Sequence, residues 1–129
     1  METKYIGIGD NDWGLIVCYD YDMRDWDDMW AIMRSFGLSS RKADEAIRVL
    51  SHPNNGMAIS NYDIRMSVIF ISNATSEDEW WNSIQHELNH VAVAIIDYYG
   101  EPYWGEPASY LSGHLLQRVI KEVGYPCYK

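Results

Sequence analysis

The sequence predicts a small single-domain α+β protein, a short antiparallel or mixed sheet packed on about four helices. Three observations carry that prediction. Apolar stretches come in two pairs, Tyr5–Gly9 with Leu15–Tyr19 and Met57–Tyr62 with Arg65–Ser72, and turn-forming residues part the members of each pair. Elsewhere apolar residues recur every three or four positions, the period of a helix buried along one side. With 129 residues, 47% hydrophobic and 22% charged, the chain can fill one core but not two. Residues 1–129 are therefore read as one domain.

In chain order, Tyr5–Gly9 runs into Asp10-Asn11-Asp12, a turn cluster, and Leu15–Tyr19 is apolar on both faces, which suits a buried strand. The two make a hairpin. Gly7 and Gly9 suggest a dinucleotide loop, but the third glycine and the immediate helix are absent. Five carboxylates then crowd the nine positions from Asp20 to Asp28. A calcium loop would need glycine sixth and glutamate twelfth, where this chain has Asp25 and Ala31. The acids fit a helix start better: Asp22 caps, Asp25 follows three residues on, and negative charge gathers at the positive end of the dipole. Trp26, Trp30, Met33 and Phe36 form the buried face, and Gly37 closes the helix.

Ser39 opens a second helix whose inner stripe is Ala43, Ile47 and Leu50. His52-Pro53-Asn54-Asn55-Gly56 reads as a turn, with His52 exposed rather than a ligand. After the second strand pair, which bends at Asn61 to Ile64, Trp80, Ile84, Leu88, Val91, Ile95 and Tyr99 mark one long amphipathic helix. Ser76 and Glu79 form a capping box at its start, and Gly100 and Pro102 end it. A last helix begins with Glu106 as N-cap and Pro107 at the first position, and reaches about Val123.

Charge and hydropathy narrow the partners. A net charge of −9 makes nucleic acid and anionic membrane poor partners. The longest wholly apolar run, Val91–Ile96, is far shorter than a membrane span. Met1 to Tyr5 lacks the basic and apolar regions of a secretion signal. Cys18 and Cys127 are accordingly expected as reduced thiols and the protein as cytoplasmic.

The long helix also carries His86-Glu87-Leu88-Asn89-His90, the pattern H-E-x-x-H. Residues four apart on a helix project from one face, so both imidazoles can reach a single ion. Glu87 is offset from His86 by about 100°, placed to handle a water on that ion. Two nitrogens and a neighbouring carboxylate are the elements of a catalytic zinc site, with Glu87 as general base. Such a site takes a third protein ligand. Glu101, Glu106, Asp97 and His114 are the candidates. Asp97 lies about 10 Å along the helix from His90, too far to share the ion. An extended loop after Gly100, favoured by its prolines and Gly105, brings Glu106 level with the ion, whereas a loop that turns over brings His114 there. Glu106 is preferred.

His-Glu-Leu-Asn-His, followed by the stretch from Gly105 to Gln117, resembles the gluzincin group of zinc metallopeptidases and, more closely, short HExxH proteins of bacterial and phage genomes. The likeness covers about Gly56 to Gln117, with the same strand-then-helix order. The resemblance implies a minimal zincin-like fold, Zn2+ held by His86, His90 and Glu106, Glu87 as base and Tyr110 polarising a carbonyl or orienting a ligand. It also implies that the strand Arg65–Ser72, or its neighbour, lines a cleft and pairs with a peptide or protein substrate. No counterpart of the extra domain that closes the cleft of larger gluzincins is expected within these 129 residues. The alternatives are an inactive metallopeptidase-like binding or regulatory module, and a purely structural metal joining the last two helices.

Overall fold

The computed structural model describes residues 1–9, 12–100 and 106–124, without the side chains of Glu106 and Pro107. Four strands form one mixed sheet: β1 (Glu2–Ile8), β2 (Trp13–Tyr19), β3 (Gly56–Asn61) and β4 (Met66–Ile71), in spatial order β1-β2-β4-β3. The β1–β2 hairpin is antiparallel, with Ile8 opposite Trp13. The chain then makes a 3-10 turn at Met23–Asp25, followed by α1 (Trp26–Ser35) and α2 (Ser40–Leu50). It returns through β3 into β4, which pairs parallel with β2 and antiparallel with β3. Two long helices complete the described fold, α3 (Glu77–Tyr99) and α4 (Glu106–Val123). The α+β class, the helices and the mixed sheet agree with the sequence expectation.

Alternation along the strands sorts their side chains onto two cores, one on each face of the sheet, where a single core was expected from chain length. Leu15, Val17, Ile69 and Ile71 face α3 and α4, where they meet Trp80, Ile84, Leu88, Leu115 and Val119. Cys18, Val68 and Phe70 face the other way, against Met29 and Met33 of α1 and Ala43 and Leu50 of α2. The sheet is thus sandwiched between two helix layers, and β2, central and covered on both faces, is almost wholly buried. Full burial of each Leu or Ile in such a core contributes about 1.5–3 kcal/mol. Cys18 is a free buried thiol whose pKa burial pushes up to about 11. Cys127 lies outside the described residues.

Two elements differ in detail from expectation. On α1 the fully buried residues are Met29 and Met33, while Trp26 and Trp30 sit half-buried at the rim. The Trp30 indole N–H donates to Asp44 Oδ1 at 3.0 Å, and the Arg34 guanidinium lies 5.7 Å from the Trp30 ring. An indole satisfied by a partner on α2 is more stable at the edge than buried with an unpaired N–H. On α2, Ala46 takes the buried place expected of Ile47, which is half-buried. No helix among the described residues is long and apolar enough to cross a membrane.

Candidate metal centre

α3 owes its bounds to local chemistry. Ser76 accepts a hydrogen bond from the Glu79 amide at 3.2 Å, satisfying one of the orphan donors of the first turn. Gly100 ends the helix in the left-handed conformation, at φ 73°, which glycine adopts without the Cβ penalty. Between these ends, Trp80, Ile84, Leu88, Val91 and Ile95 are buried on the sheet. Their stripe fixes the helix rotation and leaves His86 and His90 exposed on the adjoining face.

Glu87 is 5% exposed and turned toward the start of β3. The three side chains converge: one ligand atom from each of His86, Glu87 and His90 lies within 4.8 Å of the others. The two imidazoles approach Nε2 to Nε2 at 3.2 Å, with ring planes at 84°. Nitrogens sharing one tetrahedral zinc at about 2.0–2.1 Å stand about 3.3–3.4 Å apart, so the observed spacing fits a shared ion. The group can bind a metal ion. Burial pushes the Glu87 pKa up, and His86 pulls it partly back. No hydrogen bond to its carboxylate is made among the described residues, so both oxygens keep acceptor capacity for a water or a proton.

These groups lie in an open groove of about 500 Å³ between α3 and β3. β3 and α3 run side by side in the same direction, Gly56 beside Glu87 at one end, Tyr62 and Ala94 at the other. β3 is an edge strand whose one neighbour among the described strands is β4. Beyond His86 the groove continues into a polar recess formed by Asn54, Asn55, Asn82 and Ser83. At the opposite end Tyr62 donates to Asp97 Oδ2 at 2.9 Å and stacks edge-on with Trp13 and Tyr98. Asp97 is thus tied to the groove's end rather than to the imidazoles, as its distance along the helix required.

The turn before β3 fixes the strand's position, and Asn54 is its pivot. Asn54 adopts a left-handed φ of 66°; its side-chain Nδ2 donates to Thr75 Oγ1 at 3.0 Å, and its Oδ1 accepts from the Thr75 amide at 2.9 Å. Ser83 on α3 donates to the Asn54 carbonyl at 3.3 Å. The turn is thereby pinned to the start and the first half of α3. Its Asn-Asn-Gly run signals a tight turn in the sequence, but nothing local to that run ties it to the two histidines.

Tyr110, His114 and His52 lie away from this group. Tyr110 is 76% exposed and shares a depression with Ser109, Gly113, His114 and Gln117 on the outer side of α4. Leu115 and Val119 are buried, and Arg118 donates to the Gly7 carbonyl at 2.9 Å, fastening α4 to β1. His114 does not join the His86–His90 group. His52 is exposed and borders a separate cavity of about 460 Å³ with Tyr21 and Trp26. The backbone of Glu106 opens α4, but its side chain, like Glu101 and the rest of the loop through residue 105, lies outside the described residues.

Comparison with protein-family models, curated proteins and solved structures finds no match, so the site stands on its own residues.

Proposed function

We propose that the protein is a zinc-dependent peptidase, with His86, His90 and Glu106 as ligands and Glu87 as general base. One observation carries the reading: two exposed imidazoles converge beside a buried carboxylate at an open sheet edge. When bound, zinc supplies Lewis acidity, which polarises a carbonyl and makes water a nucleophile at neutral pH. The chain's own residues do the rest. Glu87, poorly satisfied by its neighbours, takes the proton of the attacking water and passes it to the leaving nitrogen. The outer edge of β3, unpaired among the described strands, offers backbone donors and acceptors to an extended peptide, holding the scissile bond along the groove. Exposure of both imidazoles favours an open, water-bearing site over a closed structural one.

The test pairs metal analysis with turnover of a fluorogenic peptide library. The expected result is about one zinc per chain in the parent and in Glu87→Gln, with hydrolysis in the variant reduced on the order of 10²–10⁴-fold. Hydrolysis at the parent rate by zinc-loaded Glu87→Gln refutes the role given to this carboxylate.

A further inference from the structure

Glu87 owes its place to more than its own helix. A Cβ built on Gly56 would stand 2.8 Å from Glu87 Cγ, 2.9 Å from Oε2 and 3.1 Å from Cδ. These are its three nearest atoms, and all belong to one side chain. Gly56 does not adopt a positive φ, unlike Gly9, Gly37, Gly100 and Gly124. Backbone conformation therefore does not call for glycine at this position. The neighbouring groove-lining residues of β3, Ala58 and Ser60, each carry a Cβ. Only at the first residue of the strand is that atom's space filled by a carboxylate.

The surroundings leave few ways to absorb an added methyl group. Gly56 is paired with Ile71 in the sheet, and the turn before it is held by the bonds of Asn54 to Thr75 and Ser83. The strand is thus the fixed partner. The glutamate, with three rotatable bonds, is the one that must yield, and yielding carries its carboxylate away from the position beside His86 and His90. We infer that Gly56 is a positioning residue for Glu87, the missing Cβ being the space in which the carboxylate lies. This rests on the proposed peptidase reading for its consequence in catalysis, though not for the contact itself.

A four-member cycle tests the contact without any assay of activity: parent, Gly56→Ala, Glu87→Ala and the double variant, each melted free of metal. Gly56→Ala is expected to lower the melting temperature of the parent by at least about 3 °C and to cost markedly less in the Glu87→Ala background. Should the single variant fail to fold, recovery of folding in the double variant supports the contact equally well. An equal loss in both backgrounds, or misfolding in both, overturns the inference.

A second arm reads the consequence in zinc-loaded protein. Gly56→Ala is expected to keep its zinc and its KM within about twofold while kcat falls about 10- to 100-fold. In a Glu87→Gln background the same change should add no further loss of kcat/KM. Parent-like kcat in zinc-loaded Gly56→Ala overturns the positioning role. Absence of hydrolysis by the parent itself would refute the peptidase reading, and the melting cycle would still decide the contact.

Discussion

Asp22 and Glu87 are both carboxylates on helical segments, and the chain treats them in opposite ways. Asp22, exposed before α1, accepts from the Arg24 guanidinium at 2.7 Å and from the Arg24 amide at 2.9 Å, and its pKa is lowered to about 2. Its neighbour Asp25 completes the reciprocal cap and meets the N-terminal ammonium at 3.2 Å. Glu87 sits in mid-helix, buried and without such donors among the described residues, and its pKa moves up. The acidic run at α1 spends its charge on local structure. A carboxylate whose hydrogen-bonding capacity is left open beside two imidazoles marks the place where chemistry is expected.

The sharpest break between the two regions is metal affinity. Replacing His86 or His90 by alanine should weaken zinc binding by at least about 10- to 100-fold, measured by competition with a chromophoric chelator. Asp22→Asn and Asp25→Asn should leave the affinity unchanged. Loss of zinc on changing the aspartates, with the histidine variants unaffected, would reverse the assignment of the two regions.

A smaller effect appears in the stability of the metal-free protein. Because the folded pKa of Glu87 is raised, its stability contribution is fully present below the ordinary carboxylate range and is lost as pH rises through the folded value. Glu87→Gln should therefore exceed the metal-free parent in stability at neutral pH, by about 1 kcal/mol. The gap should close toward pH 4 (urea denaturation across pH measures both). A parent more stable than the variant at pH 7 would mean that the carboxylate is better satisfied than its surroundings indicate.

Smallest is the acid limb at Asp22. Its depressed pKa gives a contribution present above the unfolded value of 3.8 and lost as pH falls through about 2. Asp22→Asn should flatten the stability profile between those limits and lower stability near neutrality by a constant amount, leaving the slope there unchanged. An altered slope near neutrality would show that the residue does more than cap its helix.

Much of this was legible residue by residue. The stripe from Trp80 to Ile95, the Ser76 cap and the Gly100 stop located α3, and the four-residue spacing of His86 and His90 placed two imidazoles on one face. Ser39 and Gly37 bounded α2 and α1 as expected. The buried face of α1 was less legible, because period alone does not say whether Trp30 or Met29 faces the sheet when Asp44 offers the indole a partner at the rim. The parallel pairing of β2 with β4 was not legible either, since the chain passes through α1, α2 and β3 between them.

The sequence alone determined what near neighbours decide: caps, turns, amphipathic period and the H-E-x-x-H spacing, all set by groups within one or two helical turns of each other. Tertiary structure decided which strand became the sheet edge beside α3, that Glu87 is buried while its flanking histidines stay exposed, and that Gly56, 31 positions before Glu87 in the numbering, leaves the space its carboxylate fills. These follow from packing between distant segments, where the burial of the Trp80–Ile95 face sets the helix rotation and the bonds of Asn54 set the strand's approach. Local period carries no record of either.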